Sequence, residues 1–196
     1  MARKNSTKVI GFLLIAVFMF TGCSGSTVKY INQGADFAYI KKIAILPFNN
    51  FTEDRYAGEK VRSALTIDIM SKHVFEVMEQ GEVTKVMNML FREEGFEEGR
   101  VVQLDKEMLR LLGEKLGVQA VIQGSVNEYS GGRGGYTTNV VAISVRMLDT
   151  GSGVVLWQVN TSEVGSSTFR KMIGIDQVDM TVLTTDVVRK AVNTLL

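Results

Sequence analysis

The alternation of strand-like and helix-like stretches between Lys42 and Tyr129 is the strongest constraint on the fold. Short apolar runs predict three buried strands, at Lys42–Phe48, Val74–Met78 and Val118–Tyr129. Three helices are predicted between them, one from a Thr52 cap to about Lys72, one over Gly81–Glu94, and one from an Asp105 cap to Gly117. Strands joined through helical crossovers pair in parallel, so this half of the chain predicts a parallel β-α-β-α arrangement.

Two of these helices show a clear apolar face with spacings of three and four residues. In the first helix the face consists of Ala57, Val61, Ala64, Leu65 and Ile69. In the second helix it consists of Val83, Val86, Met87, Leu90 and Phe91. We therefore expect these residues to pack against the sheet.

The remainder of the chain predicts an antiparallel hairpin and a closing helix. Apolar residues alternate with smaller or polar ones from Val141 to Met147, and again from Val155 to Thr161. The composition of Asp149–Gly153 between them is typical of a tight turn. A last helix is predicted from about Asp176 to the C-terminus. The expected fold is a single α/β domain, with a mixed sheet that is covered by helices.

The start of the chain combines a basic segment, a short apolar run and a lone cysteine. Val9–Phe20 contains twelve apolar residues after Arg3, Lys4 and Lys8, and Cys23 is the only cysteine. Twelve residues are too few for a spanning helix, which needs about twenty, and are typical of an export signal. The order TGC resembles the lipobox of bacterial lipoproteins. This resemblance implies that Cys23 becomes the first residue of the mature chain and carries acyl chains.

The lipobox resemblance sets the predicted organisation of the chain. Residues 1–22 form the signal peptide, residues 23–40 the lipidated cysteine and a short tether, and residues 41–196 a periplasmic domain. Two or more acyl chains give stable anchoring, since each buried methylene contributes about 0.8 kcal/mol. Ser24 directly follows the cysteine. In these lipoproteins, aspartate at that position favours retention in the inner membrane, so serine there resembles an outer-membrane sorting signal. We therefore expect attachment to the periplasmic face of the outer membrane in a two-membrane bacterium.

Charge and residue types indicate neither nucleic-acid binding nor catalysis. The chain has 22 basic and 21 acidic residues, and three basic residues lie in the signal, which leaves 19 basic against 21 acidic. This balance does not favour nucleic acid or anionic lipid as a partner. His73, the only histidine, suits a helix end. No Cys, His and Asp cluster has metal-ligand spacing, and no G-x-S-x-G elbow occurs. We expect no catalytic residue, cofactor or metal.

Two further stretches have a structural and a functional interpretation. The glycine-rich stretch Gly131–Gly135 is interpreted as a mobile hairpin connection, or as a contact loop that presents Arg133 and Tyr136 to a partner. The acidic run Glu93, Glu94, Glu97 and Glu98 lacks the ligand spacing of a calcium loop. We interpret it as a solvated helix end and loop.

Three stretches together resemble the curli-assembly lipoprotein family, the CsgG type. They are KKIAILPFNNFTED, VQAVIQGSVNEYS and VAISVRMLDTGSGVVLWQVNTSEV. The penicillin-binding-protein activator lipoproteins (LpoB type) and the N-terminal domain of TolB-like proteins are similar in plan. The resemblance implies a non-enzymatic envelope protein with an α/β domain near the membrane.

The pore of curli-type channels is not expected in this chain. The two places where the family extends membrane hairpins are Ser130–Asn139, with ten residues, and Glu163–Gln177, with fifteen. A spanning strand needs about 9–11 residues, so a hairpin needs about twenty and a turn.

The expected function is that of an outer-membrane-anchored accessory or scaffold in envelope assembly or secretion. Its partner would be another envelope protein or a second copy of itself. The alternatives are an activator of a peptidoglycan synthase and, third, a hydrolase of envelope polymers.

Overall fold

A computed structural model describes residues 26–93, 104–131, 138–165 and 178–196. These residues contain one sheet of seven strands and four helices. The strands are β1 (Thr27–Ile31), β2 (Lys42–Ile45), β3 (Asn49–Asn50), β4 (Glu76–Val77), β5 (Ala120–Ser130), β6 (Val140–Asp149) and β7 (Val155–Val164). The helices are α1 (Ala57–Ser71), α2 (Gln80–Glu93), α3 (Lys106–Leu116) and α4 (Met180–Val192). None of the helices in these ranges is long and apolar enough to cross a membrane.

The sheet combines parallel and antiparallel pairing, as the sequence predicts. Its strand order is β1-β7-β6-β5-β2-β4, and the short β3 also pairs with β5. β2 is parallel to both β4 and β5, and β3 is parallel to β5. β5, β6, β7 and β1 follow one another in antiparallel pairs. The predicted class, a single α/β domain with a mixed sheet covered by helices, is confirmed.

Each face of the sheet buries its own apolar cluster. Alternate residues of a strand point to opposite faces, so Ile43 and Ile45 join one cluster while Ala44 joins the other. The first cluster packs under α1 and α4 and includes Trp157, which is fully buried. The second cluster packs under α2 and α3.

The apolar helix faces predicted from spacing are the buried ones. In α1, four residues of the predicted face are buried and Ala64 is partly buried, and in α2 three are buried, with Val86 and Phe91 partly buried. Hydrogen bonding completes the core, since Trp157 Nε1 donates to Thr194 Oγ1 over 2.9 Å.

Two predicted helix boundaries are confirmed by their capping contacts. The carboxylate of Asp105 accepts a hydrogen bond from the Met108 amide, at 2.8 Å, and so caps α3. Gly117 ends α3 in the left-handed region, with φ of 65°. His73 follows α1 with φ of 56°, and its amide donates to Met70 O. The predicted helix-end position of His73 is therefore correct.

Two predicted helix starts are wrong. Thr52 does not cap α1, because its hydroxyl donates to Asn50 Oδ1 at 2.8 Å inside a turn, and the helix begins five residues later. The last helix begins at Met180, where the Asp179 carboxylate accepts from the Thr181 amide, rather than near residue 176.

The predicted tether over residues 23–40 is too long. Thr27–Ile31 forms β1, whose five residues pair with β7 from Thr27↔Thr161 to Ile31↔Trp157. The Thr27 and Thr161 hydroxyls lie 2.9 Å apart. Residues 27–31 therefore belong to the sheet and not to a tether.

The turn between β6 and β7 is held by the Asp149 carboxylate. It accepts a hydrogen bond from the Ser152 amide at 2.6 Å, and the Ser152 and Tyr39 hydroxyls also bond to it. Burial favours the neutral carboxyl, but the bonds from Ser152 and Tyr39 outweigh it and lower the pKa of Asp149. Gly153 completes the turn with φ of 76°. The predicted hairpin turn at Asp149–Gly153 is confirmed.

Alkaline pH should weaken the Tyr39–Asp149 contact. Burial, followed by the bond to Asp149, raises the pKa of Tyr39 from 10.0 to about 12. Because the folded-state pKa is the higher one, the stability contributed by neutral Tyr39 is complete below about pH 10 and is lost as the pH rises towards 12. Tyr39→Phe should reduce the loss of stability between about pH 10 and pH 12 in denaturant melts. Tyr56→Phe, at a similarly exposed tyrosine, is the control. Equal pH profiles for both variants would contradict the assignment.

The packing of α2 provides a direct test of the second cluster. Leu90 is 1% exposed and belongs to that cluster, so Leu90→Ala should lower the free energy of unfolding by about 2–5 kcal/mol. Met89 on the same helix is 38% exposed, and Met89→Ala should change it by less than about 0.5 kcal/mol. Urea melts of both variants measure the difference. A loss of unfolding free energy below about 0.5 kcal/mol for Leu90→Ala would mean that this face of α2 does not pack against the sheet.

Candidate functional site

A cleft of about 1050 Å³ lies between the β3–α1 connection and the end of β5. Phe51, Asp54 and Lys60 line one side, and Tyr129 lines the other. Gly131 and Thr138 also line it. The cleft therefore adjoins Gly131, where the glycine-rich stretch begins, and Thr138, which follows the end of that stretch by three residues.

Backbone pairing builds one wall of the cleft. β3 pairs with Ser125 and Val126 of β5, and the Phe51 amide then donates to Val126 O at 3.0 Å. β5 continues past this point to Ser130 and pairs there with β6 alone. The side of β5 that β3 leaves uncovered forms the floor of the cleft.

A β-bulge at Asn127 turns Tyr129 into the cleft. Val126 pairs with Ile143, whereas Glu128 pairs with Ala142 and Tyr129 with Val141, so Asn127 is the extra residue. In a regular strand Glu128 would share the face of Val126. Because of the bulge, Tyr129 lies on the face of Val126 and packs against the first cluster. Glu128 lies on the other face and is exposed.

Tyr129, Lys60 and Asp54 form one connected group. Lys60 Nζ lies 2.8 Å from Asp54 Oδ2 and 5.2 Å from the centre of the Tyr129 ring. The Tyr129 hydroxyl lies 3.2 Å from Thr184 Oγ1 on α4. The group therefore ties the β3–α1 connection to β5 and α4, and it presents an ammonium group over an aromatic face.

The ion pair shifts both of its members towards the charged form. The hydrogen bond from Lys60, followed by the Tyr56 amide, lowers the pKa of Asp54. The bond to Asp54 raises the pKa of Lys60. Neither shift moves a group towards neutrality near pH 7, so both members of the pair are charged there.

The cleft also carries an exposed aromatic side chain. Phe51 is 61% exposed at its edge, beside the lysine and the tyrosine. Among the described ranges, no group of three or more His, Cys, Asp or Glu side chains could hold a metal ion. An exposed aromatic ring next to a cation–π pair is the kind of surface that proteins use to bind other proteins.

A second cleft, of about 870 Å³, lies between α1 and α2. At its base is Arg62, which is 7% exposed. Arg62 Nε and Nη2 donate to Ile45 O over 3.0 and 2.7 Å. Burial lowers the pKa of this guanidinium. Its donors bind the carbonyl at the end of β2, so its role here is to fix α1 to the sheet.

The residues that the sequence singles out for a functional role lie mostly outside the described residues. Cys23, Arg133 and Tyr136 do so, and the acidic run does so apart from Glu93. Sequence reasoning missed Lys60 and Tyr129. Tyr129 had a local signal, since after Val126 the strand alternation shifts by one residue. Lys60 had none, because its partner on β5 is 69 residues away.

No protein family and no curated protein matches the sequence. Among solved structures, the PelC dodecamer from Paraburkholderia phytofirmans is similar, with a TM-score of 0.60 and 16% identity, covering 87% of this chain and 96% of that one. The lipoprotein GNA1162 from Neisseria meningitidis has a TM-score of 0.52 and 19% identity, covering 78% and 99%. The LpoB C-terminal domain from Salmonella enterica has a TM-score of 0.44 and 15% identity, covering 62% and 81%.

These likenesses concern the fold. At 16% and 19% identity, the PelC and GNA1162 structures show that this chain adopts their fold over nearly their whole length. The likeness to LpoB is too distant to bear on function. The resemblance to the curli-assembly family stays a prediction.

Removing the lysine charge should change the titration of Asp54. Lys60→Met keeps most of the side-chain stem but removes the hydrogen bond that chiefly lowers the pKa of Asp54, so this pKa should rise towards its ordinary value. Lys60→Arg should preserve the low pKa. Carboxyl NMR titration of the two variants measures the difference. Both groups are part-exposed, so the loss of unfolding free energy should stay below about 1 kcal/mol. An unchanged Asp54 pKa in Lys60→Met would contradict the pairing.

Proposed function

We propose that this chain is an outer-membrane-anchored periplasmic lipoprotein, which acts as a homo-oligomeric, non-enzymatic accessory in envelope assembly or secretion. One observation carries the proposal: the signal-like segment that ends at Cys23 leads directly into a domain whose fold matches the PelC dodecamer and the lipoprotein GNA1162. Those proteins are a twelve-copy assembly and a lipoprotein by their own descriptions. This chain combines a lipobox-like start with their fold.

The sheet supports self-association because, among the described residues, it ends in two different edge strands. β1 and β4 stand at opposite ends of the strand order, and open edges present backbone groups that another strand can bind. β1 carries exposed Val28 and Tyr30, at 69% and 53%. Contact between two different patches of identical subunits generates a ring when the rotation closes. A protein with two unlike edges is suited to such an assembly.

The cleft supports a binding role for the same domain. Phe51 and the Lys60–Tyr129 pair offer apolar and cation–π contacts, while the Asp54–Lys60 pair stays charged. The proposal does not include a pore, because the segments at Ser130–Asn139 and Glu163–Gln177 are short for spanning hairpins.

Expression of the full chain in a two-membrane bacterium tests the proposal. The wild-type protein should take up a labelled fatty acid and fractionate with the outer membrane, whereas Cys23→Ala should not be acylated. Ser24→Asp is the matched control, and it should remain acylated but move to the inner-membrane fraction. Native mass spectrometry of the wild-type lipoprotein in detergent should find more than two copies.

Two results would contradict the proposal separately. Acylation that persists in Cys23→Ala would refute the anchor. A strictly monomeric lipoprotein at concentrations well above those in the cell would refute the oligomeric role, even if the anchor is confirmed.

A further inference from the structure

One end of the sheet gathers the last residues of β5 and β7 and the first residues of β6 and β1. Ser130 pairs with Val140, and Val140 pairs with Val164, so the β5–β6 and β6–β7 pairs end together here. β1 begins nearby, since Thr27 pairs with Thr161 and the Ser162 amide donates to Ser26 O at 3.0 Å. Ser26, where the described chain begins, therefore lies at this end of the sheet. We call this end the anchor end.

The distance from this end to Cys23 is short. Cys23 precedes Thr27 by four residues, and four residues of fully extended chain span at most about 14 Å. A cysteine with its acyl chains in the bilayer therefore brings the membrane surface within about this distance of Thr27. Side chains of other elements that extend as far towards the membrane as the start of β1 can then contact the lipid headgroups.

Exposed apolar side chains project at this end. Phe51 follows β3 beside the end of β5 and is 61% exposed, and Val164 at the end of β7 is 42% exposed. Val182 lies in the first turn of α4. This turn is near the end of β7, since the Val178 amide donates to Gly165 O at 3.1 Å. Val182 is 51% exposed. These three positions belong to three different elements that share this end.

The charges near this end are mixed in sign. Asp54 pairs with Lys60, and Glu163 pairs with Lys190 over 2.6 Å. In the sequence, Glu53 and Arg55 flank Asp54, Glu128 precedes Tyr129, and Asp179 precedes α4. Among the described residues this end therefore shows no basic excess that would select anionic lipid, and it suits zwitterionic headgroups held close by a covalent anchor.

We propose that the anchor end lies against the lipid headgroups of the membrane that holds Cys23, with Phe51, Val164 and Val182 in contact with them. This inference rests on the proposed lipid anchor and adds an orientation to it. The part of the cleft that Phe51, Gly131 and Thr138 line then faces the membrane surface. A ligand of the cleft must be reachable there.

Fluorescent labelling of the acylated lipoprotein in vesicles tests the orientation. Acylation converts the Cys23 sulfur to a thioether, so an engineered cysteine is the only free thiol. Phe51→Cys and Val182→Cys place an environment-sensitive fluorophore at the anchor end. Ile67→Cys and Met70→Cys are matched controls, since they are 69% and 53% exposed and lie in the part of α1 that leads away towards β4.

Reconstitution into vesicles of zwitterionic phospholipid should shift the emission of the first two labels to shorter wavelength. A quencher attached to the lipid headgroup should then dim these two labels and leave the two control labels bright. Equal responses at all four positions, or a response of the control pair alone, would overturn the proposal. The same emission shift at residues 51 and 182 in unacylated Cys23→Ala protein without vesicles would also overturn it. That result would show that a second copy of the chain, and not the membrane, covers the anchor end.

Flotation of the same vesicles separates this inference from the anchor itself. Wild-type lipoprotein should float with the vesicles and should not react with the thiol label. Protein that neither floats nor is protected from the label refutes the anchor, and the orientation with it. Protein that floats but shows no difference between the two pairs of labels refutes the orientation alone.

Discussion

The structure depends on β5, the strand at which its parallel and antiparallel halves meet. On one side β5 pairs in parallel with β2 and β3, and on the other it pairs with β6 in antiparallel register. Its residues also serve both cores, since Ile122 lies in the cluster under α1 and α4, and Val121 lies in the cluster under α2 and α3. Both side chains are fully buried. Displacement of this strand would open both faces of the domain at once.

Two local features of β5 determine how this strand lines the cleft. At Gly124 a β-carbon would lie 2.3 Å from the ring of Phe48. The absence of a side chain therefore leaves room for this ring and allows β3 to pair with β5. The bulge at Asn127 then reverses the alternation and turns Tyr129 towards Lys60. A glycine and a single extra residue therefore decide which side chains face the cleft.

The parts of the fold that sequence predicts are those with periodic burial. The faces of α1 and α2 and the alternation of β6 follow directly from spacing, because each of these elements buries one regular face. β1 gives no such signal, since only Thr27 of its five residues is even partly buried and Val28 and Tyr30 face solvent. β3 and β4 have two residues each, which is too short for any period. The cleft depends on contacts between distant residues, which local patterns do not contain.

The position of β1 also bears on which functions the proposed anchor allows. A tether over residues 24–40 would reach at most about 60 Å, whereas a tether that ends at Thr27 reaches about 14 Å. With Cys23 acylated, the domain would stay beside its own membrane. An activator of an inner-membrane synthase would then need its partner to cover the remaining distance. A role at the outer-membrane surface, alone or in a ring of copies, needs no such reach. The short connection therefore favours the accessory function over the activator function.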